Sequence, residues 1–505
     1  MSLATTLCRA GLGIEAPLVT VETHLANGLP AFNIVGLPEK AVQEARDRVR
    51  SALQNTGFGF PARRITVNLA PADLPKQGAR FDLAIAIGIL AASAQLPAAP
   101  LAEIELIGEL TLGGQIRPVR GILPVTIAAA RTGHRLLLPR DNTAEASLAG
   151  DAELLPADHL LQVCAHLTGR EPIPRHFPSP PTSDENTTPV PDLAEVRGQA
   201  QARRALEVAA AAGHNLLMMG PPGTGKSMLA ARLPGILPPM NEQEALETAA
   251  IHSVTGLELH PDRWRQRPFR SPHHTCSGVA LVGGSSIPRP GEISLAHNGV
   301  LFLDELPEFD NRVLEVLREP LETGRIVISR AARSAEFPAR FQLVAAMNPC
   351  PCGHVNEPDK RCDRCTPQLA ARYQGRISGP LRDRIDIQIE VPSLPTRDLL
   401  EAPPGEPSTM VRARVIAARE RQLRRQGCTN AELQHAALER HCTLTTEVRR
   451  LLETAIEHLG LSARGYHRIL RLARTIADLD ESDTVGPRYM SEAIGLRRLD
   501  QPRHP

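Results

Sequence analysis

The chain has 505 residues, which is enough material for about three domains of common size, and its hydrophobic content of 42% is typical of globular packing. Lysine plus arginine total 57 and aspartate plus glutamate total 56, so the overall charge favours neither nucleic acid nor an acidic partner. The first residues lack the basic flank and apolar core of a secretion signal, and no stretch reaches the length of a membrane span. We therefore expect a cytoplasmic protein without a membrane partner.

Residues 1–170 alternate between strand and helix patterns, which predicts an α/β domain. The predicted strands are 19–25, 65–70 and 136–139. The predicted helices are 39–54, 81–94 and 123–132. A hairpin is predicted over 106–114, because two glycines follow an alternating segment.

Two segments of this domain, 74–82 and 108–121, resemble the catalytic domain of the Lon proteases. In the alignment that this resemblance implies, the serine position falls on or beside Arg80 and the lysine position falls near Leu123. Neither residue can act as a nucleophile or base at neutral pH. The resemblance therefore implies a Lon-protease-like α/β domain that lacks the catalytic dyad and acts as a scaffold or binding surface.

Residues 171–192 are rich in proline and polar residues, which predicts an extended, semi-rigid linker. A helix predicted over 199–212 then begins the next domain, and a short apolar strand follows at 215–219.

This strand leads into the pattern Gly220-x4-Gly225-Lys226-Ser227, which opens a helix. Bare glycine backbone lets several N–H groups converge on phosphates, Lys226 can reach the outer phosphates, and the Ser227 hydroxyl can bind Mg²⁺. The alternative is an ordinary glycine turn before a helix. The predicted nucleotide-binding residues are Gly220, Pro221, Pro222, Gly223, Thr224, Gly225, Lys226 and Ser227.

Two further strand patterns end on polar residues. The run 299–303 stops at Asp304 and Glu305, of which Asp304 is suited to hold Mg²⁺ and Glu305 to polarise the attacking water. A buried strand over 341–348 ends on Asn348, whose amide could bind the attacking water or the terminal phosphate. Alone, the acid pair would be a solvated strand end and the asparagine a turn residue.

Roughly eighty residues separate the phosphate-loop pattern from the acid pair of Asp304 and Glu305, which predicts an insertion at about 256–298. Within it, Arg270, His273 and His274 share an irregular loop with Trp264, the only tryptophan. The histidines could bind a metal or contact a substrate, or they could serve only to hold the loop by ordinary hydrogen bonds.

Four cysteines follow Asn348 in the loop 350–365. Cys350, Cys352, Cys362 and Cys365 are spaced as two pairs, which predicts a tetrahedral thiolate zinc site with His354 as a substitute ligand. The alternative is four reduced thiols.

Beyond the acid pair we predict a helix over 312–322 and a strand over 325–330. Arg384 precedes the last predicted core strand and could reach a phosphate bound to a neighbouring subunit, or pair locally with Asp383 and Asp386.

The pattern is helical from Ser408 to the end. The predicted helices are 410–426, 431–440, 445–459, 463–480 and 487–499. This region has 17 arginines against 12 acidic residues, which suits either contact with DNA or solvated helix faces.

The order of these motifs is similar to that of the AAA+ ATPases, and more narrowly it resembles the magnesium chelatase-like family of the bacterial competence protein ComM, also called YifB. The segments that carry the resemblance are 267–274, 290–305, 348–353, 378–381 and 462–468. The resemblance implies an AAA+ P-loop core with a parallel sheet over 193–400 and a helical C-terminal lid over 401–505.

It also implies an ATP-driven ring, expected to be a hexamer, in which a neighbour completes each site. The implied roles are Walker A for Lys226 and Ser227, Walker B for Asp304 and Glu305, sensor 1 for Asn348, arginine finger for Arg384 and sensor 2 for Arg464. Arg382 is a second candidate for the finger and Arg468 for sensor 2. The implied cofactors are ATP and Mg²⁺, beside the predicted zinc.

The function that the family implies is that of a DNA helicase promoting branch migration during natural transformation. Single-stranded or branched DNA and recombination proteins would be its partners. Two alternatives stay open, a magnesium chelatase motor subunit and an ATPase that remodels proteins. The first is disfavoured, because the small chelatase subunit resembles only the ATPase portion.

Overall fold

A computed structural model describes two compact units in this chain. The first contains Met1–Thr187 and Glu242–Trp264, and the second contains Thr188–Asn241 and Arg265–Pro505. The described residues are 3–176, 190–257, 259, 264–284, 288–330, 333–354, 365–395, 402–459 and 462–497.

The described secondary structure is mixed α/β. Its strands are β1 (Leu3–Arg9), β2 (Leu18–Ala26), β3 (Ala31–Val35), β4 (Arg64–Ala70), β5 (Ile104–Leu106), β6 (Glu109–Leu110), β7 (Ile116–Arg117), β8 (Arg135–Pro139), β9 (Leu154–Ala157), β10 (Leu216–Met219), β11 (Phe269–Arg270), β12 (Val300–Leu303), β13 (Arg325–Arg330), β14 (Arg333–Pro338), β15 (Gln342–Met347) and β16 (Ile387–Glu390). Its α-helices are α1 (Lys40–Gln43), α2 (Ala45–Asn55), α3 (Asp82–Ala92), α4 (Ile122–Thr132), α5 (Thr143–Ala146), α6 (Leu160–Leu167), α7 (Ala200–Ala212), α8 (Lys226–Ile236), α9 (Glu242–Thr255), α10 (Gly278–Val282), α11 (Glu292–Leu295), α12 (Asn311–Glu315), α13 (Arg318–Thr323), α14 (Pro367–Gln374), α15 (Gly379–Arg382), α16 (Ser408–Gln426), α17 (His435–His441), α18 (Thr446–Leu459), α19 (Ala463–Leu479) and α20 (Pro487–Gly495). Short 3₁₀ helices lie at Ala99–Glu103, Arg140–Asn142, Ser147–Ala149, Leu193–Glu195, Leu306–Glu308 and Asn430–Glu432. None of the described helices combines the length and apolar character that crossing a bilayer requires.

The first unit is built on a seven-stranded mixed sheet in the order β3-β4-β2-β1-β5-β8-β9. β2 is antiparallel to both β1 and β4, whereas β5, β8 and β9 continue from β1 in parallel. The apolar helix α3 packs on β1 and β2, and every residue of it is buried. An apolar run of helix length buries all its faces, and this one forms the centre of the unit.

The helix α9 belongs to this first unit, although it lies between the two nucleotide motifs in the sequence. Ala249 of α9 packs with Leu123 of α4, and Trp264 borders the same apolar cluster. The backbone N–H of Gly121 donates to the carbonyl of Ser253 at 3.1 Å. The stretch that follows the phosphate-loop helix therefore completes the core of the N-terminal unit.

The second unit contains a five-stranded sheet in the order β11-β12-β15-β10-β16, and every neighbouring pair is parallel. Its central strands are apolar without alternation and are buried on both faces, as parallel strands covered by helices require. Because the strands run in one direction, their carboxyl ends meet at one edge of the sheet. The predicted α/β class with a parallel-sheet core is confirmed.

The predicted helix over 312–322 is in fact two short helices, α12 and α13. Pro320 has no N–H to donate and cannot occupy the interior of a continuous helix. The second helix starts at Arg318, which puts Pro320 in its first turn, where the N–H needs no helical partner. The predicted strand that follows is β13, and it forms an antiparallel hairpin with β14.

The C-terminal region is helical, as predicted, and packs against the parallel core. The longest helix, α16, packs against α7 and α8, and α19 packs against α16 and α20. Buried His214, which precedes β10, hydrogen-bonds Thr475 of α19 at 2.9 Å. Arg204 of α7 bonds Glu492 of α20 at 2.8 Å.

Candidate nucleotide-binding site

The phosphate loop connects the end of β10 to the start of α8. Gly223 and Gly225 have φ of +79° and +85°, a left-handed conformation that glycine adopts without strain. A Cβ on Gly220 would lie 2.1 Å from the carbonyl oxygen of Val391. The loop therefore requires glycine, and α8 begins at its end with the N-terminal polarity that attracts phosphate.

Lys226 is turned onto this loop. Its ammonium donates to the carbonyls of Gly220 at 2.7 Å and Pro221 at 2.8 Å, and to Oδ1 of Asn348 at 3.2 Å. Burial lowers the pKa of Lys226, an effect opposed by the charges of Asp304 and Glu305. Because the ammonium of Lys226 donates only to uncharged carbonyl and amide oxygens, its positive charge is available to bind the oxygens of a phosphate.

Asp304 follows β12 and faces the loop. The Ser227 hydroxyl donates to Oδ2 of Asp304 at 2.5 Å. A hydroxyl and a carboxylate oxygen are the hard ligands that Mg²⁺ takes beside phosphate oxygens and water. These two side chains could therefore hold a magnesium ion against a nucleotide bound to the loop.

Glu305 has a strained backbone and a partner from another strand end. Its φ of +52° lies in the left-handed region, which non-glycine residues occupy mostly at constrained, functional positions. Oε2 of Glu305 lies 3.2 Å from Nδ1 of His274, which follows β11. His274 in turn lies beside His273, with ring centroids 4.2 Å apart. The sequence singled out His274 but gave no sign of its contact with Glu305.

The loop predicted to join Trp264 with Arg270 and the two histidines is divided in the structure. Trp264 belongs to the first unit, whereas Arg270 is the second residue of β11 and pairs with Glu292 at 2.7 Å. The expectation of one shared loop is therefore wrong, because the first part of the insertion packs with the N-terminal core.

Asn348 completes the site from the end of β15, where it accepts a hydrogen bond from Lys226. The three strands β12, β15 and β10 are neighbours in the sheet. The structure thus brings together the phosphate loop, Asp304, Glu305 and Asn348 at one edge, as parallel strand ends allow.

The two arginine-finger candidates follow α14 in the chain. Arg384 forms an ion pair with Glu322 and donates to the carbonyl of Pro380 at 2.6 Å. Arg382 donates to the carbonyl of Gln374 at 3.1 Å. The pair with Glu322 leaves one buried nitrogen of Arg384, Nε, without a hydrogen-bond partner.

The two sensor 2 candidates differ in accessibility. Arg464 is 65% exposed and lies 3.9 Å from Asp383, whereas Arg468 is 11% exposed and lies 3.4 Å from Asp386. Burial lowers the pKa of Arg468, although the charge of Asp386 opposes that shift. Arg464 is thus the arginine with freedom to reach a ligand, and Arg468 is held in the protein.

Asp386 joins the sheet to the lid. It lies 3.5 Å from Nδ1 of His214 and accepts a hydrogen bond from the backbone N–H of Asn215 at 3.1 Å. Burial raises the pKa of Asp386, but the contact with His214 and the charge of Arg468 outweigh burial and lower it to about 2. Asp383 and Asp386 therefore contact Arg464 and Arg468 of the lid, whereas Arg384 pairs with Glu322.

Three of the four predicted zinc ligands lie together. Sγ of Cys352 is 3.3 Å from the sulfurs of both Cys350 and Cys365, and all three sulfurs lie within 4.8 Å of one another. In a tetrahedral site, zinc–sulfur bonds of about 2.3 Å place the sulfurs about 3.8 Å apart. The two separations of 3.3 Å are shorter than that, but the three thiols lie close enough together to bind one metal ion. Cys362 lies outside the described residues.

Family models match three parts of this chain. "Magnesium chelatase, subunit ChlI" matches residues 192–399, "Subunit ChlI of Mg-chelatase" matches 21–142, and "Magnesium chelatase, subunit ChlI C-terminal" matches 405–497.

Curated relatives match over the full length. The chain is 52% identical over 505 residues to "Competence protein ComM" of Haemophilus influenzae, covering 99% of this chain and 98% of the relative. It is 51% identical over 503 residues to "Uncharacterized protein YifB" of Escherichia coli, with the same coverage of 99% and 98%. The "Magnesium-chelatase 38 kDa subunit" of Rhodobacter capsulatus is 29% identical over 346 residues, which is 63% of this chain and 89% of that subunit. The chain belongs to the ComM/YifB family of magnesium chelatase-like AAA+ proteins.

Proposed function

We propose that this chain hydrolyses ATP with Mg²⁺ at the carboxyl edge of the parallel sheet. Lys226 binds the outer phosphates, Ser227 and Asp304 hold Mg²⁺, Glu305 orients the attacking water and Asn348 contacts the terminal phosphate. The single observation that carries this proposal is the convergence of these side chains from three neighbouring strand ends, with Lys226 3.2 Å from Asn348 and Ser227 2.5 Å from Asp304.

We propose that the active form is a ring, expected to be a hexamer, in which Arg384 acts on the nucleotide of the neighbouring subunit. In this account Arg384 leaves its pair with Glu322, which is 56% exposed and can be solvated when the arginine moves away. Arg464 acts in its own subunit, where its exposure lets it approach the nucleotide. Arg382 and Arg468 are the weaker candidates, and the enclosed pair with Asp386 argues most strongly against Arg468.

We further propose that this ATPase acts on DNA as a helicase that promotes branch migration during homologous recombination of incoming DNA in natural transformation. The support is the identity of 52% with the Haemophilus influenzae competence protein over nearly the whole of both chains. The arginine excess of the C-terminal helices adds little support. Several of these arginines are taken up by intramolecular ion pairs, including Arg414 with Glu406, Arg421 with Glu481 and Arg425 with Asp478.

The test is the ATPase rate without DNA and with single-stranded, duplex and three-strand branched DNA. We expect stimulation by single-stranded or branched DNA, and no hydrolysis in any reaction with Lys226→Ala. An ATPase rate that DNA leaves unchanged would overturn the DNA proposal while leaving the ATPase proposal intact.

A second candidate function is that of an ATPase subunit that remodels a protein or chelatase partner. It is favoured by the family models, which describe a magnesium chelatase subunit over residues 192–399 and 405–497. A partner protein that stimulates ATP hydrolysis in the absence of any DNA effect would select this function.

We propose that the predicted N-terminal domain, residues 1–170, is a Lon-protease-like binding surface without proteolytic activity. Arg80 donates to the carbonyl of Arg120 at 2.9 Å, and Leu123 is fully buried. Neither can supply the chemistry of a serine–lysine dyad. The remaining predicted boundaries are a linker over 171–192, a core over 193–400 and a lid over 401–505. Within the predicted core, Glu242–Trp264 packs in the first unit and is therefore excluded from the core in this proposal.

We also propose that Cys350, Cys352 and Cys365 bind a structural zinc ion. The sequence prediction includes Cys362 as the fourth ligand. Metal analysis of purified protein should find about one zinc per chain. Purified protein that is fully active and free of zinc would show that these residues are ordinary reduced thiols.

A further inference from the structure

The cysteine cluster lies directly against the phosphate loop. A Cβ on Gly353 would lie 2.3 Å from Cδ of Pro222, so the backbone of Gly353 packs on the loop as only glycine can. Gly353 also has φ of +88°, and its N–H donates to the carbonyl of Cys350 at 3.0 Å. The turn that carries Cys350 and Cys352 therefore forms one wall of the phosphate loop.

The same turn continues from the end of β15. Cys350 is fully buried two residues after Asn348, which accepts from Lys226. The side chain of Gln374 on α14 donates to the carbonyl of Pro349 at 2.8 Å and holds the segment between them. The segment that carries the thiols thus contacts two sides of the nucleotide site. One side is the end of β15 at Asn348, and the other is the phosphate loop.

We propose that the metal held by Cys350, Cys352 and Cys365 fixes the phosphate loop in its nucleotide-binding conformation, so that ATP affinity depends on metal occupancy. This inference rests on the proposed ATP site and the proposed zinc site. With metal bound, the turn 350–353 is a rigid wall for Pro222. Without the metal's bonds to three sulfurs, the turn 350–353 is free to move, Gly353 loses its fixed position, and ordering the loop is added to the free energy cost of binding ATP.

The first test measures metal content and nucleotide affinity on the same full-length protein. Zinc is removed with a zinc-selective chelator in excess Mg²⁺, and binding of a fluorescent ATP analogue is titrated before removal, after removal and after zinc is restored. We expect the dissociation constant to rise at least roughly tenfold on removal and to recover on restoration. Unchanged affinity in protein shown to have lost its zinc would overturn the inference.

Variants separate this inference from the proposals on which it rests. Cys352→Ser should lose both zinc and nucleotide affinity, whereas Cys428→Ser, a half-buried thiol outside the cluster, should keep both. If Lys226→Ala binds nucleotide as tightly as the wild type, the proposed ATP site is wrong. If Lys226→Ala loses nucleotide while zinc-free wild type keeps it, only the coupling to the metal is wrong.

A matched glycine pair tests the contact itself without touching a thiol. Gly353→Ala adds a methyl that must displace Pro222, whereas Gly427→Ala meets nothing within 4 Å at a similar φ of +74°. Both replacements put a side chain at a left-handed φ, so the backbone strain is largely matched and the difference between them reports mainly the contact. We expect Gly353→Ala to keep its zinc and to bind nucleotide at least roughly fivefold more weakly, with Gly427→Ala close to wild type. Equal nucleotide affinity in the two variants would contradict the proposed coupling.

Discussion

The two units share an α/β plan but differ in what their strand ends and loops carry. In the second unit, neighbouring parallel strands end on Asp304, Asn348 and the phosphate loop, and these groups lie within hydrogen-bonding distance of Lys226 or Ser227. In the first unit, the proposed resemblance to Lon proteases would put the dyad at or near Arg80, which is bonded to a backbone carbonyl, and Leu123, which packs in a buried apolar cluster. An α/β sheet is compatible with either role, and in the proposed account the residue types at a few positions assign the chemistry to the second unit.

The largest expected effect is that of Lys226→Ala. Removing the cation that faces the phosphate loop should abolish nucleotide binding and reduce hydrolysis to the rate of buffer alone. Lys40→Ala is the matched control, since this exposed lysine lies in the first unit. Binding of a fluorescent ATP analogue and release of phosphate measure both steps. Wild-type hydrolysis by Lys226→Ala would show that the chemistry does not reside in the second unit.

Arg384→Ala should lower turnover by roughly 10³-fold and leave nucleotide binding intact, because an arginine finger acts only on transition-state charge. Arg382→Ala, at the neighbouring candidate, should have a much smaller effect.

Mixing tests whether Arg384 acts between subunits. Lys226→Ala and Arg384→Ala proteins are each expected to be inactive alone, and an equal mixture should regain about a quarter of the wild-type rate. In randomly assembled rings, about a quarter of the interfaces pair a subunit with an intact phosphate loop with a neighbour that has an intact Arg384. A mixture as inactive as its components would contradict action in trans.

Glu305→Gln should bind ATP normally and hydrolyse it roughly a hundredfold more slowly, because the amide cannot accept a proton from water. Glu308→Gln is the control, since Glu308 lies in the next turn and pairs with Arg376 at the surface at 3.3 Å. Phosphate release under single-turnover conditions separates binding from chemistry. Equal rates in the two variants would show that Glu305 does not orient the attacking water.

The smallest expected effect concerns stability and pH. In the folded protein the pKa of Asp386 is about 2, which is below its value in the unfolded chain. The contribution of ionised Asp386 to the free energy of unfolding is therefore fully present above pH 4 and is lost as pH falls through 2. Asp386→Asn should therefore lower the free energy of unfolding by about 2 kcal/mol at pH 7, and the difference from wild type should shrink at pH 3.

Denaturant titration at the two pH values measures this difference. Asp383→Asn is the control, because its contact with Arg464 is exposed and long at 3.9 Å and should contribute below about 0.5 kcal/mol at either pH. A deficit in Asp386→Asn that is equal at pH 7 and pH 3 would contradict the assigned charge interactions.

Local pattern was sufficient to predict the elements that carry the candidate site. The strands that became β10, β12 and β15 were predicted to within two residues, because buried parallel strands are continuous apolar runs between glycine and polar residues. The phosphate loop was predicted from the spacing of its glycines before Lys226 and Ser227, between a strand pattern and a helix pattern. The predicted helix over 431–440 is wrong in part, because Asn430–Glu432 is a separate 3₁₀ turn and the helix begins at His435. The other C-terminal helices were predicted by their periodicity, with ends that differ by a few residues.

Contacts between distant segments could not be predicted in the same way. The contact of Ala249 with Leu123 assigns α9 to the first unit, yet the sequence of a helix gives no sign of which core the helix joins. The close approach of Gly353 to Pro222 depends on how two loops meet. The ion pair of His274 with Glu305 joins residues from different strand ends, and nothing in either segment indicates that the two side chains meet.

The most direct measurement of the central claim is movement of a labelled three-strand DNA junction by the purified protein, with ATP hydrolysis followed in the same reactions. The account predicts junction movement that requires ATP, is absent with Lys226→Ala, and is abolished by Glu305→Gln even though this variant binds ATP. A junction that stays in place while ATP is hydrolysed at an unaltered rate would contradict a DNA motor and would assign the ATPase to a protein partner.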